Sequence, residues 1–250
     1  MKFLGIDLGW QSQPSGACCL VRQGAGLQLA DLSRLATVEQ VLNWVDAQVL
    51  PEEPAIIAVD APTLIANPSG MRLADRLTHK YFGRYHAGSY PANLSRPFAQ
   101  QTVNFGRSLE SRGFVHAPEI TPQQPGRYQI EVFPHPAIVQ LFGLPQILKY
   151  KKGTVAARRL ELLRYRQYIS EVLPTLEPNV KWSENAVPLP EIPQTGLAMK
   201  AVEDQLDSLI CAYVAAHWWY WGRERNWVLG ADSPEVCRIE GYIVVPALVR

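Results

Sequence analysis

Apolar residues first gather in a short run, Lys2 to Asp7, that predicts a strand stopped by Asp7-Leu8-Gly9. Two more strands are predicted over Gly16–Arg22 and Leu27–Leu32, with Gln23-Gly24-Ala25-Gly26 between them as hairpin turn chemistry. Val38, Val41, Leu42 and Val45 recur at helical spacing behind Thr37, a residue suited to capping. Ala55-Ile56-Ile57-Ala58-Val59 is apolar throughout, as expected of a central strand covered on both faces, and ends in Asp60. A second helix is expected over Ser69–Phe82. From Gly83 to Gly126 periodicity fades among Gly, Pro, Asn and Gln, which predicts a lid, cap or insertion. Tyr128–Phe133 reads as a strand closed by Pro134, and Thr154–Leu173 as an amphipathic helix. A proline-rich connector leads to a last long helix, about Lys200–Trp221, and Cys237–Val245 reads as a closing strand.

Strands joined by hairpins, then helix, strand, helix and strand, predict a mixed sheet with flanking helices in one enlarged α/β domain over residues 1–250, with 83–126 inserted in it. The composition agrees: 47% hydrophobic and 19% charged residues suit a large core and exclude a disordered chain. A formal charge of +1 excludes nucleic-acid binding through net charge, so any such binding needs a local basic surface. Four cysteines without a C-x-x-C pair argue against a zinc site or disulfide framework and point to a reducing cytoplasm. An acid at Asp7 interrupts any signal-peptide core, and Leu209–Trp221 is too short to span a bilayer, so no membrane association is expected.

The chemistry lies in the acids. Asp7 and Asp60 each follow an apolar strand and precede a turn, the position where α/β sheets gather sites. Such acids also cap turns, but on neighbouring parallel strands they would emerge a few ångströms apart, and a divalent cation relieves that repulsion. Glu131 stands within an apolar strand, so it is either on a solvated face or liganded. Glu203, Asp204 and Asp207 open the last helix, and their spacing places like charges on one face, costing roughly 0.2–0.5 kcal/mol per pair. First-turn acids complement the helix dipole, which accounts for Glu203 and Asp204. Asp207 leans on Ile210, Cys211 and Val214 and needs a partner. Together Asp7, Asp60, Glu131 and Asp207 could hold two cations roughly 3.5–4 Å apart for phosphodiester cleavage.

Gly5-Ile6-Asp7-Leu8-Gly9-Trp10, Ala58-Val59-Asp60-Ala61-Pro62, Ile130-Glu131-Val132-Phe133-Pro134 and Glu203-Asp204-Gln205-Leu206-Asp207-Ser208 resemble, in order, the motifs of a family of predicted RNase H-like nucleases, domain of unknown function 429. Arg72-Leu73-Ala74-Asp75-Arg76, Tyr150-Lys151 and Gly241–Pro246 also look like its signatures. The resemblance implies an RNase H-like fold and dependence on Mg2+ or Mn2+, with no substrate specified. The helix motif is similar to that of Holliday-junction resolvases of the RuvC type, which would bring Asp204 as well as Asp207 to the metal site.

Lys149–Gln167 carries seven basic residues against Glu161 alone, a surface that would attract a phosphate backbone unless it is simply a solvated helix face. Lys151, Lys152 and Arg158, with Arg72, are the expected phosphate contacts, and DNA or RNA the expected partner. Tyr81, Phe82, Arg84, Tyr85, His86, Tyr90, Arg96 and Phe98 interleave aromatic and basic residues that stack bases or, more often, pack a cap. Trp218, Trp219 and Trp221 belong to a core or to a contact between copies of the chain. Ser12, Ser15 and Ser69 lack the context of a hydrolase nucleophile. The competing functions are a non-catalytic nucleic-acid or protein-binding module and an actin-like phosphotransferase, which would require a second related domain.

Overall fold

β1 (Lys2–Asp7), β2 (Ser15–Gln23) and β3 (Gly26–Leu35) form an antiparallel meander. The computed structural model describes residues 1–10, 13–182 and 187–247, so Ser12 and part of the proline-rich connector lie outside the described residues. After α1 (Val38–Gln48), β4 (Ala55–Val59) returns parallel to β1. The Thr37 side chain caps α1 by accepting from the Gln40 N–H. α2 (Leu73–Phe82), α3 (Ala99–Glu110) and β5 (Val115–His116) precede β6 (Arg127–Glu131), which is parallel to both β4 and β5. α4 (Pro134–Leu141) and α5 (Val155–Val172) lead to β7 (Val180–Lys181), and α6 (Gly196–Trp221) follows. The chain closes with β8 (Asn226–Leu229), α7 (Pro234–Glu240) and β9 (Ile243–Pro246). The main sheet runs β5-β6-β4-β1-β2-β3-β7, and β8 pairs with β9 outside it.

Strand alternation divides the core into two layers. Phe3, Ile56, Ala58 and Ile130 face α4, α5 and α6. Leu4, Ile6, Ala55, Ile57 and Val59 face Val41, Val45, Phe105 and Leu109 of α1 and α3. α6 lies directly on the meander, because a Cβ on Gly5 would overlap the Ser208 carbonyl and one on Gly16 the Asp204 carbonyl. This meander flanked by parallel strands, with helices on both faces, is a mixed α/β fold.

Several expectations need correction. The second helix begins at Leu73, not Ser69, because Gly70 takes a left-handed φ of 77°. The 83–126 stretch is not irregular throughout: it holds α3, which packs in the core, and β5, an edge strand of the sheet. Thr102 and Gly106 among the buried positions of α3 blur its apolar period. Cys237 lies on α7, started by Pro234 and capped by Ser233, and the strand begins only at Ile243. Trp218 and Trp219 are core residues, while Trp221 is partly exposed beneath the Arg225 guanidinium. All four cysteines are free and buried. No helix among the described residues is long and apolar enough to cross a membrane.

Candidate active site at the sheet rim

β1 and β4 run parallel in register, with Ile6 opposite Val59, so Asp7 and Asp60 leave adjacent strands in step. The Asp60 N–H donates to the Ile6 carbonyl at 2.8 Å and fixes that step. Asp7 shares its face with Phe3 and Gly5, and Asp60 with Ile56 and Ala58, so both point to the α6 side. Gly5 and Gly16 let α6 settle there and bring its acids over the same rim. Both strand-end aspartates line a cavity of about 480 Å³, with Asp204, Glu131, Asp75, Lys151 and Lys200 also in its wall.

Asp207 is fully buried and fully engaged. Its Oδ1 accepts from Tyr150 at 2.7 Å and Tyr165 at 3.0 Å, and its Oδ2 pairs with the Lys151 ammonium at 2.7 Å. Burial would raise its pKa, but Lys151, with His135 and the Tyr150 hydroxyl, holds the carboxyl below its ordinary value. The pattern reverses at the strand ends. Burial pushes Asp7 up to about 7 against the pull of Lys151, and the charges of Asp207 and Asp204 add to the rise. Burial, then Asp7, raises Asp60 well above the usual carboxylate range. Among the described residues, neither the Asp7 nor the Asp60 carboxylate has a hydrogen-bond or ion-pair partner. Lys151 is pushed up, burial being outweighed by Asp207, Asp7 and Asp60.

The other expected residues have different situations. Glu131 pairs with Val59 in register and therefore shares parity with the α1/α3 face, not with Asp60. Both its oxygens are taken by Arg72, at 2.7 and 2.6 Å. That guanidinium also binds Asp75 at 2.9 Å and the Leu64 carbonyl at 2.9 Å. Arg72 is 4% exposed, so it is a buried clamp and not a free phosphate contact. Burial still pushes Glu131 up to about 7, against Arg72. Asp204 is held by Arg34 at 3.0 Å and by Lys200, and Arg158 is committed to Glu203 at 2.7 Å and the Tyr150 carbonyl at 3.1 Å. Lys152 is exposed and makes no ion pair among the described residues. Asp75, Tyr165 and Lys200 were missed from the sequence. The i,i+3 pair Arg72–Asp75 and the i,i+4 pair Lys200–Asp204 were the available signals, whereas the tyrosine ring gives none before the fold is known.

Among the described residues, no group of three or more His, Cys, Asp or Glu side chains is gathered closely enough to hold a metal ion. The expected five-acid cluster is therefore reduced to a pair of carboxylates, Asp7 and Asp60, unpartnered among the described residues and beside Asp207 and its lysine. That donor set still fits Mg2+ or Mn2+, which carboxylate oxygen suits, and Mg2+ is commonly held by one or two carboxylates with substrate phosphates completing its shell.

No curated protein sequence matches the chain. Among solved structures the chain is similar to T. thermophilus RuvC in complex with Holliday junction substrate, at 12% identity and a TM-score of 0.33, over 85% of this chain and 94% of that one. Residues 5–230 match the family model described as Protein of unknown function (DUF429), and over so much of its length the chain belongs to that family.

Proposed function

We propose that the protein is a divalent-metal-dependent nuclease that hydrolyses phosphodiester bonds in DNA or RNA at the rim of β1 and β4. The observation carrying this reading is the pair of half-buried carboxylates, Asp7 and Asp60, without a partner among the described residues and aimed into one cavity from adjacent parallel strands. Two acids kept there without donors cost stability unless a cation joins them. Asp7 and Asp60 would hold Mg2+ or Mn2+. A bound ion of this kind stabilises charge on a phosphoryl oxygen and lowers the pKa of water.

The chain's own residues do the positioning. Tyr150 and Tyr165 fix the Asp207 carboxylate, and Asp207 in turn fixes the Lys151 ammonium in the cavity wall. Lys151 is then placed to meet a non-bridging phosphate oxygen. Arg72, tied to Glu131 and Asp75, holds the end of β6 against α2 and so the far wall of the cavity. Tyr90, 60% exposed and lining the same cavity with Trp10, offers a ring face to an unpaired base.

The test is cleavage of labelled single-stranded, duplex and branched DNA and RNA. Cleavage should require Mg2+ or Mn2+ and disappear in Asp60→Asn; cleavage indifferent to chelator or to that substitution contradicts the reading. A non-catalytic nucleic-acid-binding module is favoured by one observation, that Lys151 already neutralises Asp207. It predicts binding without cleavage under every metal condition.

A further inference from the structure

A second cavity, of about 460 Å³, adjoins the acidic one, and Gly88 and Lys151 belong to the walls of both. Its chemistry is opposite. Lys149, Lys151, Lys152, His79, His86 and His135 line it, and no carboxylate does. We infer that this basic cavity is a binding site for a phosphate group of the nucleic-acid strand whose neighbouring phosphodiester lies at Asp7 and Asp60. The identity of the ligand rests on the nuclease reading; the anion site itself rests on the cavity.

Four segments build it. His79 comes from the last turn of α2, His86 from the turn after it, and His135 from the first turn of α4. The lysines come from the segment before α5. The walls are tied together by the Ile147 N–H donating to the Tyr85 carbonyl at 3.0 Å. His79 is fixed in orientation. Its Nε2 donates to the Ser89 carbonyl at 2.7 Å, and its ring packs so closely on Gly88 that a Cβ there would meet it at 2.6 Å.

Like charges gathered around a concavity repel, and only an anion relieves them all at once. Among the described residues, the Lys149 and Lys152 ammonium groups have no carboxylate partner, and the buried Nδ1 of His135 has no hydrogen-bond partner. Phosphate matches these groups: it is compact, carries more than one acceptor oxygen and takes several charge-assisted donors together. Lys151 stands between the two cavities, paired with Asp207, where it can be shared by consecutive phosphates of one strand. The acidic cavity repels phosphate unless a cation is present, whereas the basic one attracts it without any cation.

That asymmetry supplies the test, made in EDTA so that cleavage plays no part. Binding of short single-stranded DNA with a 5′-phosphate, the same DNA with a 5′-hydroxyl, and inorganic phosphate would be measured by anisotropy and calorimetry. The proteins are wild type, Lys149→Gln/Lys152→Gln and Asp60→Asn, with thermal melts to establish folding. The double variant should bind DNA at least tenfold more weakly, and its log K against log[salt] slope should flatten by about 0.7, the increment for one phosphate that the protein no longer neutralises. Asp60→Asn should bind as well as wild type or better. A 5′-phosphate preference in wild type assigns the site to a strand end, and equal binding of both oligonucleotides assigns it to an internal phosphate; both support the proposal. Equal DNA affinity and equal salt slope in wild type and the folded double variant would overturn it, as would failure of wild type to bind any of the three probes. A protein that binds as expected here but never cleaves with metal leaves the phosphate site standing and removes the nuclease reading alone.

Discussion

Asp60 and Glu131 sit at the ends of adjacent parallel strands, β4 and β6, and both border the same cavity, yet their environments are opposite. Glu131 has both oxygens satisfied by a buried arginine, which Asp75 braces from the other side. Asp60 has burial and the nearby Asp7 charge to contend with, and no donor among the described residues. The difference comes from one register step. Glu131 pairs with Val59, one residue before Asp60, so the two side chains belong to opposite faces of the sheet. Arg72 reaches the first; the second is left to the cavity and whatever cation enters it. An acid at a strand end thus has two uses in this protein, as an anchor for the wall or, in the function proposed above, as a metal ligand.

The largest effect should separate those uses in catalysis. Asp60→Asn should lower metal-dependent cleavage by more than about 100-fold, beyond the 10–100-fold cost of disturbing an outer-shell partner. Glu131→Gln, measured in the same assay, should stay within that outer-shell range. In stability the ranking inverts. Arg72→Ala leaves Glu131 and Asp75 buried without their cation and should cost about 3–5 kcal/mol in urea unfolding. Asp60→Asn should cost nothing in metal-free buffer.

Gly5→Ala sharpens the comparison from the opposite wall, by forcing α6 off β1 at Ser208. Overpacking there should cost about 1–3 kcal/mol by the same denaturation measurement, and metal affinity should fall with it as Asp207 and Lys151 shift.

The last effect concerns pH. The folded-state pKa of Asp7 is raised above its unfolded value, to about 7, so folding takes up a proton. Its contribution to stability is full below about pH 3.8 and is lost as pH rises toward 7. Asp7→Asn should therefore outlast wild type in metal-free melts, by a margin that widens from pH 4 to pH 7. His116, His135 and His217, each lowered to about 4 by burial, act in the opposite direction but cancel in this difference. A margin constant with pH would show that Asp7 keeps an ordinary pKa.

The sequence made Asp7, Asp60 and Asp207 legible for distinct reasons. The first two end apolar runs, and the third leans on an apolar helix face where an unpartnered charge is costly. The Glu131 clamp was not legible, because its cation lies 59 residues away and only the sheet register brings the two together. The meander and central strands could be read from alternation and turn residues. α3 could not, since its buried face includes Thr102 and Gly106, and Gly106 is packed against Thr63. The short edge strands β5 and β7, two residues each, fall below the length at which periodicity exists.

Mn2+ binding, followed by calorimetry on wild type, Asp7→Asn, Asp60→Asn and Glu131→Gln, tests the central claim most directly. Affinity should fall at least tenfold in each aspartate variant and remain near wild type in Glu131→Gln. Undiminished binding in both aspartate variants, or its loss in Glu131→Gln alone, would contradict the assignment of the β1/β4 rim as the cation's seat.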